Sequence, residues 1–225
     1  MIKYIGFDKD GTLIDSHSDT TKEWGKIIHS DFGIDAKEAE EVFGITAAGQ
    51  STAVQLALTL KKHNISFPEE KLFEKANEIA ICLGRNVKAN PFPEVLNILS
   101  KLKGSGYYIF ISSSHQESVV KEDLTRTGLI KYIDYYVGVR PNQPDLKKGE
   151  PHFRAAASYF GEDFAAFIKE TVFVGDTPPD IEAANKCGIA SIARIGTLSR
   201  EKLLEAGARF VIPNLSSLPE ILRSL

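Results

Sequence analysis

The chain has few cysteines and no long apolar run. Cys82 and Cys187 lie far apart and match no metal-ligand spacing, so we expect a reduced, cytoplasmic protein. No segment reaches the ~20 apolar residues that a membrane-spanning helix needs. The short apolar N-terminus ends at Asp8 and does not fit a signal peptide. A membrane partner is therefore not expected.

The sequence also lacks a concentrated positive charge. Its net charge is −3, and the basic residues are scattered, with no run longer than the pairs Lys61-Lys62 and Lys147-Lys148. A nucleic-acid partner is not expected, because it needs a clustered basic face. A small anionic substrate stays compatible with an acidic protein, since a site can be locally positive. The 225 residues suffice for one large domain or two small ones, as a monomer or homodimer.

Residues 16–90 have a helical pattern throughout. A strand over about residues 2–7 precedes them, and Thr20 with Glu23 predicts a capping box at the first helix. The later residues 72–83 follow the 3.6-residue period. Asn90-Pro91-Phe92-Pro93 marks the end of this segment. We therefore predict two domains: a helical bundle of residues 16–90 and a core of residues 1–15 and 91–225.

The rest of the chain alternates apolar strands with helices. Strands are expected at Tyr107–Ser112, Tyr135–Val139, Thr171–Gly175, Ile189–Ala193 and Arg209–Ile212. Helices are expected at Pro93–Lys103, Gln116–Thr125, Pro151–Phe160, Pro179–Cys187 and Arg200–Ala206. This alternation predicts the α/β class, with a parallel sheet covered on both faces. Ligands of such sheets bind beyond the carboxyl ends of the strands.

Two carboxylates stand one residue apart at the end of the first strand, in Asp8-Lys9-Asp10-Gly11. Like charges this close are costly unless a cation or a shared proton offsets them. A metal-assisted nucleophile with an acid–base partner uses such crowding. Two solvated acids in a turn would also explain the pattern, because Asp and Gly are common turn residues.

Three other segments carry polar groups near strand ends. Ser112-Ser113-Ser114 follows an apolar strand, Lys147-Lys148 precedes the helix at Pro151, and Gly175-Asp176 is followed four residues later by Asp180. Taken singly, the serines fit a polar strand terminus and the lysines an exposed pair. The last segment is harder to explain as a turn, because a strand stops at glycine and prolines then suit a helix start.

Together these segments resemble the haloacid dehalogenase (HAD) superfamily of aspartate-nucleophile phosphohydrolases. Residues 8–13 match the family's DxDGTL opening, and Ser113, a lysine at 147 or 148, and Gly175-Asp176-x-x-x-Asp180 supply the other three motifs in order. The resemblance covers the whole chain and implies a Rossmann-like three-layer core. It also implies that residues 16–90 form a small helical (C1) cap, as in phosphoglycolate phosphatase-like and β-phosphoglucomutase-like members.

The resemblance implies a role for each motif residue. Asp8 would attack phosphorus and form an aspartyl-phosphate, and Asp10 would act as acid and base. Mg²⁺ would be held by Asp8, the Asp10 backbone carbonyl and Asp176, with Asp180 supporting these ligands. Ser113 and Ser114 would hold phosphoryl oxygens, and a lysine would balance their charge.

The identity of the lysine is open between two neighbours. Spacing back from Phe153 favours Lys147, whereas the Lys-Gly-x-Pro lettering of residues 148–151 resembles the family's Lys-Pro-x-Pro. We choose Lys148.

The resemblance favours a phosphatase for a small phosphorylated metabolite, of phosphoglycolate or sugar-phosphate type. An acid at position 10 argues for phosphate esters over carbon–halogen or carbon–phosphorus bonds. A phosphomutase remains an alternative, and so does a phospho-acceptor or binding protein without turnover. Substrate choice is expected to lie with the cap, where the segment of residues 44–50 contains small residues that would let backbone approach a ligand.

Overall fold

A computed structural model of the protein describes residues 1–47, 50–140, 142–143 and 145–225. The chain folds into two compact units, one of residues 1–15 and 90–225 and the other of residues 16–89. Ala48 and Gly49, in the predicted small-residue segment of the cap, lie outside the described residues. Both cysteines are free thiols. No helix in the described ranges combines the length and apolar character that a membrane crossing requires.

The smaller unit is helical. Its helices are α1 (His17–Phe32), α2 (Ala36–Glu41), α3 (Thr52–Lys62) and α4 (Glu69–Asn86), with a π-helical turn at Val42–Thr46. Trp24 and Ile28 are fully buried in its core, and the Trp24 ring packs 5.1 Å from that of Phe43.

The predicted start of the first helix was wrong by about one turn. Helix α1 begins at His17 with Ser16 as its N-cap residue, and the Thr20 amide donates to the Ser16 carbonyl oxygen at 2.8 Å. Thr20 and Glu23 are therefore interior helix positions. Nothing between residues 16 and 20 interrupts the helix, and Asp19 in the first turn favours it through the helix dipole.

The larger unit contains one parallel sheet of six strands, which confirms the predicted α/β class. The strands are β1 (Tyr4–Phe7), β2 (Tyr108–Gln116), β3 (Tyr135–Val139), β4 (Thr171–Gly175), β5 (Ala190–Arg194) and β6 (Phe210–Ile212). Their order is β3-β2-β1-β4-β5-β6, so the direction of winding reverses between β1 and β4. Such a reversal leaves a crevice at the carboxyl ends of the two central strands.

Seven helices connect and cover these strands in the described part of this unit. They are α5 (Val95–Gly104), α6 (Glu117–Arg126), α7 (Glu150–Phe160), α8 (Phe164–Lys169), α9 (Pro178–Lys186), α10 (Arg200–Glu205) and α11 (Leu218–Arg223). The short helices α8 and α11 were not predicted, although α10, which is equally short, was. Six residues cover fewer than two helical turns, so a helical period does not reliably identify such helices. Short 3₁₀ turns lie at Leu129–Tyr132 and Leu215–Ser217.

Aromatic residues fill the space beneath one face of the sheet. Tyr4, Phe110 and Phe173 come from three adjacent strands and pack in one cluster with residues of α7, α8 and α9. Gly6 makes room for them, because a methyl group there would lie 2.7 Å from Phe173 Cδ2. A larger residue at position 6 would displace two core rings, so glycine fixes how closely the central strands pack.

Strand β2 is longer than predicted. The serine run was expected to end it at Ser112, but the strand continues to Gln116. It continues because β3 pairs beside it, with Gln116 next to Val139 after an irregular register between Ser112 and Gln116. The serines are therefore part of an extended segment, not the strand terminus that the sequence suggested.

Candidate active site

The crevice between β1 and β4 is where Asp8 lies. Asp8 follows directly after β1, and its amide donates to the Val174 carbonyl oxygen at 2.8 Å, which extends the pairing of the two strands by one residue. Asp176 comes directly after β4. The two side chains are therefore set at the same edge by strands that pair with each other.

Three buried carboxylates gather at this point. Oxygen atoms of Asp8, Asp176 and Asp180 lie within 4.8 Å of one another. Their residues are 7%, 1% and 1% exposed. Three anions held this close in a buried site repel one another strongly. The donor set of clustered carboxylate oxygens is the kind that a hard divalent cation prefers.

Lys148 provides positive charge to this cluster. Its ammonium nitrogen lies 2.6 Å from Asp8 Oδ1 and 2.6 Å from Asp180 Oδ1. Lys147, the alternative, is an exposed residue. Lys148 precedes helix α7, and Gly149 between them has a positive φ of 117° that suits glycine. The structure brings Lys148, not Lys147, into contact with the carboxylates.

The burial of this cluster shifts its protonation equilibria. Burial raises the pKa of Asp8 well above its ordinary value, and the charge of Lys148 opposes that shift. Burial and the charge of Asp180 raise the pKa of Asp176 to about 7. Burial by itself would lower the pKa of Lys148, but Asp180 and Asp8 raise it above the ordinary value. The lysine is thus charged, whereas the raised pKa values of Asp8 and Asp176 show that their anionic forms are disfavoured unless a further cation is present.

Two threonines hold the Asp176 carboxylate. Thr12 Oγ1 donates to Asp176 Oδ1 at 2.9 Å, and Thr197 Oγ1 donates to the other oxygen. Gly11, with φ of 77°, passes close by, and a methyl group there would lie 2.7 Å from Asp176 Cγ. The glycine of the opening motif is therefore required both by its left-handed conformation and by its approach to Asp176.

Asp180 belongs to a capping box at the start of α9. Its Oδ2 accepts hydrogen bonds from the Thr177 hydroxyl at 2.7 Å and from the Thr177 and Asp176 amides at 3.2 and 3.3 Å. Its Oδ1 faces Lys148. Hydrogen bonds thus hold one oxygen of Asp180, and the other forms an ion pair with Lys148, which fixes the lysine beside it.

The Asp10 side chain makes a different set of contacts. Lys9 Nζ lies 3.1 Å from its Oδ1 and 3.0 Å from its Oδ2, and His115 Nδ1 lies 3.3 Å from its Oδ2. Burial lowers the pKa of His115, although the Asp10 charge acts in the opposite direction. The Asp10 side chain is partly exposed, with 28% of its surface accessible to solvent. Its carboxylate therefore combines fixed partners with access to solvent.

Ser113 is buried on the strand next to Asp8. Phe7, the last residue of β1, pairs with Ile111 of β2, and Ser113 comes two residues after Ile111. Its hydroxyl oxygen accepts from the His115 amide at 3.2 Å. Ser114, the second serine predicted to bind phosphate, is exposed.

Behind the serine run lies a fully buried histidine. His152 Nδ1 is 2.9 Å from Ser112 Oγ, and burial, with the nearby charge of Lys148, lowers the pKa of His152 to about 4. Folding therefore favours the neutral ring, so its contribution to stability is complete above pH ~6.5 and is lost as pH falls towards 4. The loss at pH 4 should be about 3 kcal/mol of unfolding free energy.

His152→Asn tests this pH dependence, because asparagine keeps a polar partner for Ser112 and does not titrate. Between pH 6.5 and 4, the unfolding free energy of the variant should fall less steeply than that of the wild type. Urea unfolding should be followed by circular dichroism, because the single tryptophan, Trp24, reports on the smaller unit. His29→Asn, the same substitution at an exposed position of the smaller unit, provides the matched control. Equal slopes in wild type and His152→Asn would refute the account.

The sequence interpretation missed several residues at this site. Thr197 lies in the loop after β5, at the same edge of the sheet, and the strand-end rule could have identified it. Lys9 is within the opening motif, but no role was assigned to it. Its partner Asp123 lies on α6, 114 residues away in the chain, and carries no local signal.

The fold and the site together define a class of protein. A doubly wound parallel sheet positions buried aspartates and a lysine at its winding reversal, as in a hydrolase with an aspartate-based active site. Residues 5–194 match the family described as haloacid dehalogenase-like hydrolase. The chain belongs to this family.

Relatives of similar length are named as phosphatases. The chain is 27% identical to a phosphoglycolate phosphatase from Vibrio parahaemolyticus, over 98% of this chain and 96% of that protein. It is 24% identical to a Clostridium perfringens protein provisionally named pyrophosphatase PpaX, over 94% and 93% of the two chains.

Solved structures show the same fold. One is described as a predicted phosphoglycolate phosphatase from Haemophilus somnus, with a TM-score of 0.78 and 21% identity over 98% of each chain. Another is a β-phosphoglucomutase from Clostridium difficile, with a TM-score of 0.73 and 20% identity over 100% of this chain and 96% of that one.

Proposed function

We propose that the protein is a Mg²⁺-dependent phosphomonoesterase that acts through a phosphorylated Asp8. The observation that carries this proposal is the contact of Lys148 with both Asp8 and Asp180, next to Asp176, at the winding reversal of the sheet. The named phosphatase relatives support the reaction class.

The chemistry divides into two displacements at phosphorus. In the first, an Asp8 carboxylate oxygen attacks phosphorus, the bond to the ester oxygen breaks, and that oxygen takes a proton from Asp10. In the second, water attacks the phosphoryl group while Asp10 accepts its proton, and the Asp8 carboxylate leaves. Lys148 is assigned to balance the charge of the phosphoryl oxygens. Ser113 is assigned to orient these oxygens by hydrogen bonding, with Ser114 as a further donor.

The carboxylates suit a magnesium ion. We assign Asp8, Asp176 and the Asp10 backbone carbonyl as its ligands, with Asp180 in support, because Asp180 is already engaged by Lys148 and by the capping box. When bound, the ion would supply positive charge to the transferring phosphoryl group. Two crowded carboxylates with raised pKa values support the assignment, since a cation relieves their repulsion.

Metal binding should stabilise the folded protein in the absence of substrate. At a Mg²⁺ concentration 100 times the dissociation constant, unfolding should require about 2.7 kcal/mol more free energy. Asp176→Asn should remove most of this stabilisation, whereas the control Asp145→Asn, at an exposed position, should retain it. Thermal unfolding with and without Mg²⁺ measures the effect. A wild-type protein that neither Mg²⁺ nor Mn²⁺ stabilises would contradict the metal assignment.

The substrate is proposed to be a small phosphorylated metabolite, and phosphoglycolate and sugar phosphates are the first candidates to test. Residues 16–89, as a C1-type cap, are assigned the choice of substrate. A phosphomutase of the same family remains the second candidate, since the fold is shared with β-phosphoglucomutases.

Phosphate release from a panel of esters tests the function. The panel contains p-nitrophenyl phosphate, phosphoglycolate, glucose 6-phosphate, β-glucose 1-phosphate and pyrophosphate, each with Mg²⁺ and with EDTA. We expect Mg²⁺-dependent release, with one alkyl ester preferred. Interconversion of the two glucose phosphates without release, observed by ³¹P NMR, would support the mutase instead. Turnover that persists in EDTA would overturn the proposed mechanism.

A further inference from the structure

Lys9 is a charged residue whose side chain is almost completely buried. It stands between the two aspartates of the opening motif and is 1% exposed. Moving an ammonium group out of water is costly unless it is paired and hydrogen-bonded. The partners of Lys9 therefore indicate what it does at this position.

The first partner is Asp123 of helix α6. Lys9 Nζ lies 2.6 Å from Asp123 Oδ2, and Asp123 Oδ1 in turn accepts from Arg126 at 3.0 Å. Asp123 is itself buried, at 6% exposure. The helix therefore fixes the lysine at a set position, independently of Asp10.

The second partner is Asp10. The same Lys9 nitrogen lies within 3.1 Å of both Asp10 carboxylate oxygens. An ammonium group has three donors, so it can serve Asp123 and Asp10 together. The side chain of Asp10 is thus connected, through Lys9, to a buried anchor in α6.

We propose that Lys9, anchored by Asp123, is a positioning residue that fixes the direction of the Asp10 carboxyl group. The proposal rests on the proposed function, in which Asp10 passes a proton to the ester oxygen and later takes one from water. Proton transfer requires the carboxyl group to be within hydrogen-bond reach of the reacting oxygen. A freely rotating Asp10 would meet that requirement only part of the time.

The leaving group separates this role from a purely structural one. An alkoxide leaves poorly without a proton, whereas p-nitrophenolate leaves readily without one. The value of kcat/KM reports on steps through departure of the ester oxygen. Misplacement of Asp10 should therefore lower kcat/KM for an alkyl phosphate far more than for p-nitrophenyl phosphate, whereas general loss of folded enzyme lowers both equally.

The test uses the double variant Lys9→Met/Asp123→Asn, which removes both charges and leaves no buried ion unpaired. For phosphoglycolate we expect kcat/KM to fall about 100-fold, the lower range for general acid catalysis, with a change of about threefold or less for p-nitrophenyl phosphate. Phosphorylated Asp8 should also accumulate during turnover of the aryl ester, because water activation by Asp10 is slowed. Asp123→Asn alone should also lower kcat/KM more for phosphoglycolate than for p-nitrophenyl phosphate, but by a smaller factor. This single variant replaces the double variant in the test if the double variant does not fold.

A matched control is available in the same unit. Lys103 pairs with Asp134 at 2.7 Å near the start of β2, at the amino edge of the sheet, where the Ile109 amide also donates to Asp134. Lys103→Met/Asp134→Asn should leave the ratio of the two kcat/KM values unchanged. Equal losses on both esters, or no loss, in the Lys9 variants would overturn the proposal. A wild-type enzyme that is inactive on every ester of the panel would overturn the proposed function, and this inference with it.

Discussion

Asp8→Asn should lower kcat/KM for every accepted phosphate ester by on the order of 10⁴-fold or more, because the variant has no nucleophile. Asparagine has nearly the shape of aspartate but cannot form an acyl phosphate. It also removes one of three crowded buried carboxylates, so the variant should fold. The measurement is steady-state phosphate release at saturating Mg²⁺.

Comparison with Asp10→Asn strengthens this test. That variant retains the nucleophile, so a burst of p-nitrophenol should precede a slow steady state, whereas Asp8→Asn should release no burst. Near-normal turnover by Asp8→Asn would show that the ester is cleaved by direct attack of water, and the covalent mechanism would be wrong.

Lys148→Ala is expected to have the second-largest effect, a fall of about 10²- to 10³-fold in kcat. Lys148 is held by Asp8 and Asp180, and the charges of these carboxylates keep it protonated. Its ammonium group is therefore fixed beside the nucleophile, where negative charge develops on the phosphoryl oxygens. Alanine removes that charge and leaves Asp8 without its cation.

Lys147→Ala provides the control, because it removes the same residue type one position earlier, at an exposed site. We expect it to change kcat by less than about twofold, as surface substitutions usually have small effects. The reverse result, with activity lost in Lys147→Ala and kept in Lys148→Ala, would show that Lys147, not Lys148, balances the charge of the phosphoryl group.

The sequence predicted the fold class and the strand ends well, for a physical reason. Buried parallel strands are near-continuous apolar runs, so the fully buried β4 was predicted with the bounds that the structure has. The bounds of the edge strand β3, which is half-buried, were also predicted from its apolar run. Asp8 and Asp176 directly follow such runs, and the topology then sets them at one edge. The pairing of β1 with β4 then brings them together, whereas the alternation of strands and helices predicts only that the strands are parallel.

The parts that the sequence did not predict depend on contacts between distant segments. Strand β2 passes through its serine run because β3 pairs with its far end. The burial of Lys9 could not be predicted from the sequence, because its partner Asp123 lies on a helix 114 residues later in the chain. The short helix α8 begins at Phe164, directly after Asp163, whose carboxylate accepts hydrogen bonds from two helix amides. The apolar content of this segment alone did not distinguish it from a loop.

The position of the phosphoryl group tests the central claim most directly. Enzyme quenched in acid during turnover would be treated with borohydride, which reduces an aspartyl-phosphate to homoserine, and then digested with trypsin. Cleavage after Lys3 and Lys9 places Asp8 in the peptide of residues 4–9 and Asp10 in the peptide that follows. We predict homoserine at position 8, dependent on both substrate and Mg²⁺. Homoserine at position 10, or none in an enzyme that is turning over, would contradict the account.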